Sequence, residues 1–344
     1  MNKQVWLWLL PLLLLSACMP NLDYGQQSVY THGLVHVDSL GQIEFLPEPA
    51  VSRTKLSVER LPDGRILMIG NSLHIYNPDT QELTDITPSG HYSYFSPPAH
   101  DLSPDGIWLY HQNLGSIRRL NLQNFSSEVL AVGSDTTFVR PVISRDGRYL
   151  TYLHSNQNIY ATTHNGGYPI VMDMLTGTYT CLNSADHSWD DAITHAWKAM
   201  SGDLVYFIAD TGLMVMDLQG GNRILIRDQV CSAQESFDGR FLLCLDSYFL
   251  GLQLSYRDNQ TMTWNTLSET GQHKLCRGAN IVYTGSDGSL FKTELATGEL
   301  STVFTSSLQG RKITRIDAIA PSWDGKDVVA WVTYKEWVNS KYPL

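Results

Sequence analysis

Residues 102–112 read LSPDGIWLYHQ, and nearly the same phrase returns along the chain. It stands as RLPDGRILMIG at 60–70, ISRDGRYLTYLHS at 143–155, SFDGRFLLCLDS at 236–247 and PSWDGKDVVAWV at 321–332. In each copy an Asp-Gly pair precedes a run rich in Leu, Ile, Val, Tyr and Phe. Asp bonds its own backbone in a turn and Gly accepts positive φ, so the pair predicts a tight turn. The run after it is apolar on nearly every residue, which predicts a short strand buried on both faces.

The spacing of the turns sets the architecture. Asp63, Asp105 and Asp146 lie 42 and 41 residues apart, a period of one supersecondary unit. The gaps from Asp146 to Asp238 and from Asp238 to Asp324 are 92 and 86 residues, room for one worn copy in each. AWKAMSGDLVYFIAD at 196–210 and CRGANIVYTG at 276–285 fill them, with turns at Ser201-Gly202 and Ala279-Asn280. That makes seven units. Within a unit, runs such as SLHIYNP, SIRRLNL, QNIYATT and LMVMDL read as third strands, and a second turn leads to a fourth. GSDGSL, around Asp287, is a different turn, between second and third strands. Four antiparallel strands cannot bury two apolar faces alone, but radial packing buries both. The expectation is an all-β, seven-bladed β-propeller of four-stranded antiparallel blades. Six or eight blades are the alternative counts.

The chain ends are complementary. After Asp324-Gly325 only one buried-type run remains, DVVAWVTY, so the seventh unit lacks its outer pair. GLVHVDSLGQIEFLP at 33–47 precedes any hairpin and reads as a third strand, a turn at Leu40-Gly41 and a fourth strand. The last blade is therefore expected to be closed by the N-terminal strands, which leaves no free edge at the seam. SPDG followed by an apolar strand and then IY resembles the WD40-like (PD40) repeats of TolB-type propellers. Similar repeats occur in the propeller of prolyl oligopeptidases and in some polysaccharide lyases. The resemblance covers most of the chain and implies fold far more than function. Units four and six depart from the pattern by losing Asp-Gly.

The chain opens MNKQVWLWLLPLLLLSACMP, with Lys3, an apolar run from Val5 to Leu15, then Ser16, Ala17 and Cys18. The run is too short to span a bilayer and reads as an export signal. Leu15-Ser16-Ala17-Cys18 resembles the bacterial lipobox, which implies cleavage before Cys18 and lipidation of its thiol. An ordinary secretory signal is the alternative. On the lipoprotein reading, residues 1–17 are signal peptide, 18–30 a lipidated tether and 31–344 a single propeller domain. The lipid at Cys18 would hold it to a membrane of the cell envelope on the extracytoplasmic side, the outer membrane if two are present. A net charge of -10 without any basic run argues against nucleic acid as a partner. Outside the cytosol disulfides can form. Cys231 and Cys244 flank the turn at Asp238-Gly239 almost symmetrically and are a candidate bridge, with buried free thiols as the alternative.

No Gly-x-Ser-x-Gly elbow, Walker motif or dinucleotide glycine fingerprint occurs. His100 and His195 stand near the start of first strands, the strands nearest a propeller axis, and His91 and Arg140 are placed to join them. Oligogalacturonate lyases resemble this seven-bladed, PD40-containing architecture. That resemblance implies a divalent metal held by histidines, with His91, His100 and His195 as candidates, and lyase or hydrolase chemistry on an acidic oligosaccharide. Histidines that hold no metal are the alternative. The densest stretch is SADHSWDDAITHAW at 184–197, in an overlong connection between units three and four. It carries Asp186, His187, Trp189, Asp190, Asp191, His195 and Trp197. An indole stacks and a carboxylate accepts hydrogen bonds, which suits a sugar or a cationic ligand. The plainer reading is a loop whose tryptophans cap the core. THNGGYPIV, from Thr163, is a candidate adjacent rim. The leading expectation is a binding or scaffold module for a protein, carbohydrate or envelope polymer, without a cofactor. The metal-dependent lyase or hydrolase is the runner-up.

Overall fold

Side chains staple the repeated turn. In a computed structural model, Ser103 Oγ donates to Asp105 Oδ1 at 2.5 Å, and the Trp108 N–H donates to Ser103 Oγ at 2.8 Å. The Ile107 N–H donates to Asp105 at 2.9 Å. The same three bonds recur around Ser144 and Asp146, Ser236 and Asp238, and Ser322 and Asp324. The serine two places before Asp is thus part of the turn, as the chain's local side-chain-to-backbone bonding requires. Gly106 has φ +70°, and a Cβ there would lie 2.3 Å from Pro62 Cδ in the turn of the preceding blade. Glycine supplies both the left-handed backbone and the room.

The structure describes residues 27–47, 57–70, 72–88, 100–113, 115–132, 137–155, 167–182, 193–200, 202–248, 251–267 and 271–338. These form seven antiparallel sheets and no helix among the described residues. Six sheets have four strands in simple meander order. Blade 1 is typical, with strands Ser57–Arg60, Ile66–Ile69, Leu73–Asn77 and Glu82–Asp85. Its second strand, Ile66–Ile69, is buried at every position, as its unbroken apolar sequence requires. The first strands of blades 2 to 7 are His100–Leu102, Thr137–Ile143, His195–Lys198, Val230–Glu235, Gln272–Leu275 and Arg311–Pro321.

Seven apolar clusters hold the ring, each made by two neighbouring blades. Leu67 and Ile75 of blade 1 meet Leu109 and Leu120 of blade 2. Tyr110 packs with Leu150 across blades 2 and 3, and the pattern continues to blade 7. The seventh cluster joins Trp331 and Leu34 of blade 7 to Ile66 and Met68 of blade 1. A cluster in every gap, including the last, is a closed seven-bladed β-propeller.

Blade 7 is closed by both chain ends, as expected. Gln27–Val37 pairs antiparallel with Val328–Val338 over all eleven positions, with Leu34 opposite Trp331, and Ile43–Leu46 forms the outer strand. Gly41, at φ +77°, makes the turn between them. A two-residue strand, Ser307–Leu308, adds a fifth member on the inner side. The described part of the strand that pairs with Val328–Val338 starts at Gln27.

Two other expectations change. The third strand of blade 3 is Gly167–Asp173, not QNIYATT. GYPIV therefore belongs to the sheet instead of a rim, and QNIYATT lies outside the described residues. The bridge between Cys231 and Cys244 is absent, and both are free thiols. The register shifts between Val230 and Ser232, so Cys231 sits in a bulge while Cys244 pairs with Ala233. A bulged residue is re-aimed out of the ladder. Cys231 is exposed and its thiol donates to the Leu245 carbonyl at 3.2 Å, whereas Cys244 is wholly buried.

Candidate functional site

Inner strands bring five blades to one space. A cavity of about 330 Å³ is bordered by residues from the first strands of blades 2 to 6, or just after them. His100, His195 and His273 each stand at or next to the start of a first strand, and all three line it. Arg145, Lys198 and Glu235 line it from the other ends of those strands, near the Asp-Gly turns. The cavity is the axial channel of the propeller.

Charged side chains cross the channel at its turn-bearing end. Arg277, just beyond the first strand of blade 6, donates to the Leu102 carbonyl at 2.7 Å and to Asp101 Oδ1 at 2.8 Å on blade 2. It also lies 3.8 Å from Glu59 of blade 1, which is ion-paired with Lys274 of blade 6. Arg145 of blade 3 donates to the Glu235 carbonyl of blade 5 at 3.2 Å. The Met200 N–H of blade 4 donates to Glu235 Oε2 at 3.0 Å, and the Ile143 N–H of blade 3 to Asp101 Oδ2 at 3.1 Å. Bonds that link blade 6 to blades 1 and 2, and blade 3 to blade 5, form a floor.

The ionisation of these groups follows from their neighbours. Burial opposes the charge on Glu59, but Lys274 and then Arg277 outweigh it and hold the carboxyl at about 2. Burial wins at Glu235, offset only in part by the Met200 N–H, Arg145 and Lys198, and raises its carboxyl to about 7. Burial lowers His100 to about 4 despite the pull of Glu59. It lowers His195 to about 4 as well, with Arg140 adding to the shift. Both rings are therefore neutral at pH 7. Burial, then repulsion from Arg277, lowers Arg145 to about 10, which leaves it a cation.

Of the residues singled out from sequence, His100, His195 and Trp197 come together on this cavity. Trp197 belongs to a strand, not a loop, and is buried, with its ring 5.4 Å from that of Tyr206. Arg140 donates to the Thr194 carbonyl and shares a second, 470 Å³ cavity with His195 and Cys231. Cys18, His91, Asp186, His187, Trp189, Asp190 and Asp191 lie outside the described residues. Sequence reasoning missed Glu59, Asp101, Arg145, Glu235, His273 and Arg277. One signal was present: Glu59, Asp101 and Glu235 each stand three or four places before the turn aspartate, as acidic residues on first strands.

Of the histidines that the lyase resemblance offered as metal ligands, His100 and His195 are described and His91 lies outside the described residues. Among the described residues no three His, Cys, Asp or Glu side chains come close enough to hold an ion. The cavity wall that carries His100 and His273 also carries the cation Lys274, which disfavours a divalent ion.

No family model matches the chain, and no curated protein matches it. Solved structures do. An oligogalacturonate lyase from Vibrio parahaemolyticus is 16% identical with a TM-score of 0.61, over 93% of this chain and 100% of that one. An oligogalacturonate lyase in complex with manganese is 14% identical with a TM-score of 0.59, over 90% of this chain and 98% of that one. TolB from Acinetobacter baumannii is 15% identical with a TM-score of 0.47, over 85% of this chain and 72% of that one. At these identities the likeness is one of fold: the chain is built as a β-propeller scaffold.

Proposed function

We propose that the protein is a lipid-anchored, extracytoplasmic binding module whose ligand enters the propeller channel between His100, His195 and His273. One observation carries this reading. The channel is bordered by residues with buried polar atoms that have no hydrogen-bond partner among the described residues: Nδ1 of His100 and His195, Nε1 of Trp197 and Oε1 of Glu235. Buried polar atoms are normally paired, so four orphans around one cavity favour a polar ligand there. The stretch with Asp186, Trp189 and Asp191 leads in sequence directly into His195, which supports a role at the channel mouth. The anchor rests on the Leu15-Ser16-Ala17-Cys18 tetrad. The ligand is a protein segment or an envelope or extracellular polymer narrow enough to present one end to the channel.

Two measurements test the reading. In fractionated cells the native protein sediments with membranes and incorporates labelled palmitate, and Cys18→Ser does neither. Identical behaviour of the two proteins would contradict the anchor. Titration of solubilised protein with oligosaccharides released from the envelope gives binding that His195→Ala weakens about tenfold, the scale of one lost buried polar contact. Undiminished binding by His195→Ala and by Trp197→Phe would remove the channel from the account.

A further inference from the structure

We propose that the channel floor seats a small monovalent carboxylate-type anion on Arg145 and takes up a proton on Glu235 as it does so. The inference rests on the channel being the binding site and specifies what its floor recognises. Arg277 is met by Asp101 and Glu59, and Lys274 by Glu59. Among the described residues Arg145 donates only to a backbone carbonyl, and no carboxylate lies within ion-pair distance of it. A guanidinium presents parallel N–H groups that match a planar carboxylate. A dianion is disfavoured, because Glu59 and Asp101 also act on Arg145.

Glu235 makes the second half of the argument. It is 4% exposed, with Oε2 bonded to the Met200 N–H and Oε1 without a partner among the described residues. Arg145 faces it from blade 3 and Lys198 from blade 4, with Asp238 on its own blade. The Lys198 ammonium is engaged by the Ala199 and Gly202 carbonyls at 3.1 and 2.5 Å. Across the channel, Glu59 and Asp101 are already matched by Lys274 and Arg277, and the three histidines lining it are held toward their neutral forms. An ionised Glu235 is thus the carboxylate that competes with an incoming anion for Arg145. Adding a second negative charge in this enclosed space favours the protonated glutamate, and the proton comes from solvent. No bond other than that O–H forms or breaks.

The test is calorimetric titration of the full-length protein in detergent with acetate, at constant ionic strength made up with chloride. Acetate is expected to bind about tenfold more tightly at pH 6 than at pH 8, because the free carboxyl titrates between them. In buffers of different ionisation heat, close to one proton is taken up at pH 8. Glu235→Gln keeps acetate binding and loses its pH dependence. Arg145→Gln loses acetate binding at least tenfold, and where that variant fails to fold, the Glu235→Gln result still decides. Equal affinity at both pH values, tighter binding at pH 8, or no acetate binding overturns the proposal. Binding of glucose in place of acetate, weakened by His195→Ala, would also overturn it while leaving the channel as the binding site.

Discussion

Glu59 and Glu235 are both buried glutamates on inner strands, yet they ionise in opposite senses. Glu59 has two cations on it, whereas Glu235 has its nearest full charges at a distance and one oxygen orphaned. The consequences for stability have opposite signs. The depressed Glu59 stabilises the fold above its ordinary 4.5, and that contribution is lost as pH falls toward 2. Glu59→Gln should therefore lower the melting temperature at pH 7, with a gap from wild type that narrows by pH 3. The raised Glu235 works the other way: its contribution is full below 4.5 and is lost as pH rises through about 7. Glu235→Gln should match wild type near pH 4 and be more stable at pH 8 by about 3 kcal/mol, read from chemical unfolding. A variant less stable than wild type at pH 8 would contradict this account. Arg277→Met should cost about 3 kcal/mol, since it leaves buried Glu59 with Lys274 alone and strips the partner from half-buried Asp101.

At the scale of elements, the Ser-x-Asp-Gly hairpin explains itself locally and through its neighbour. Its glycine abuts the turn of the preceding blade at Gly106 on Pro62, more loosely at Gly147 on Pro104. The two sites give a paired prediction. Gly147→Ala meets Pro104 at 3.5 Å and suffers only its φ of +73°, a cost of about 1 kcal/mol. Gly106→Ala adds a clash at 2.3 Å and should cost about 2 kcal/mol more. Equal costs would show that the turns do not touch. The worn turn of blade 6 replaces this chemistry with Asn280, whose amide donates to Asp238 of blade 5 at 2.7 Å. All seven hairpins were legible in sequence because five carry Asp-Gly and each is followed by an apolar second strand, both local signals. The third strand of blade 3 was not, because QNIYATT and GYPIVMD are both short stretches with strand-favouring residues and only pairing with Tyr149–Ser155 separates them. The Cys231–Cys244 bridge was misjudged for the same reason: a one-residue bulge leaves no mark in sequence.

The whole molecule is a ring whose seam joins residues about three hundred apart, and its cores lie between blades rather than within them. Removing residues 27–46 would strip Val328–Val338 of its outer partner and open the cluster around Trp331. The truncated chain should lose cooperative unfolding, while Trp331→Ala, which leaves the seam paired, should cost about 3–5 kcal/mol and keep a single transition. The architecture could be read from spacing, because seven similar units at a fixed period have one way to bury both faces. The site was less legible. His100 and His195 were found by their place on inner strands, but Arg145, Glu235 and Arg277 meet only when the ring closes. The central claim is that this channel, not the outer rim, receives the ligand. Hydrogen–deuterium exchange of the solubilised protein, with and without envelope-derived oligosaccharide, tests it most directly. The account predicts slowed exchange in peptides covering 100–102, 142–145, 195–198, 232–235 and 272–275, and none on the fourth strands. Protection confined to the outer strands, with the inner strands unchanged, would contradict it.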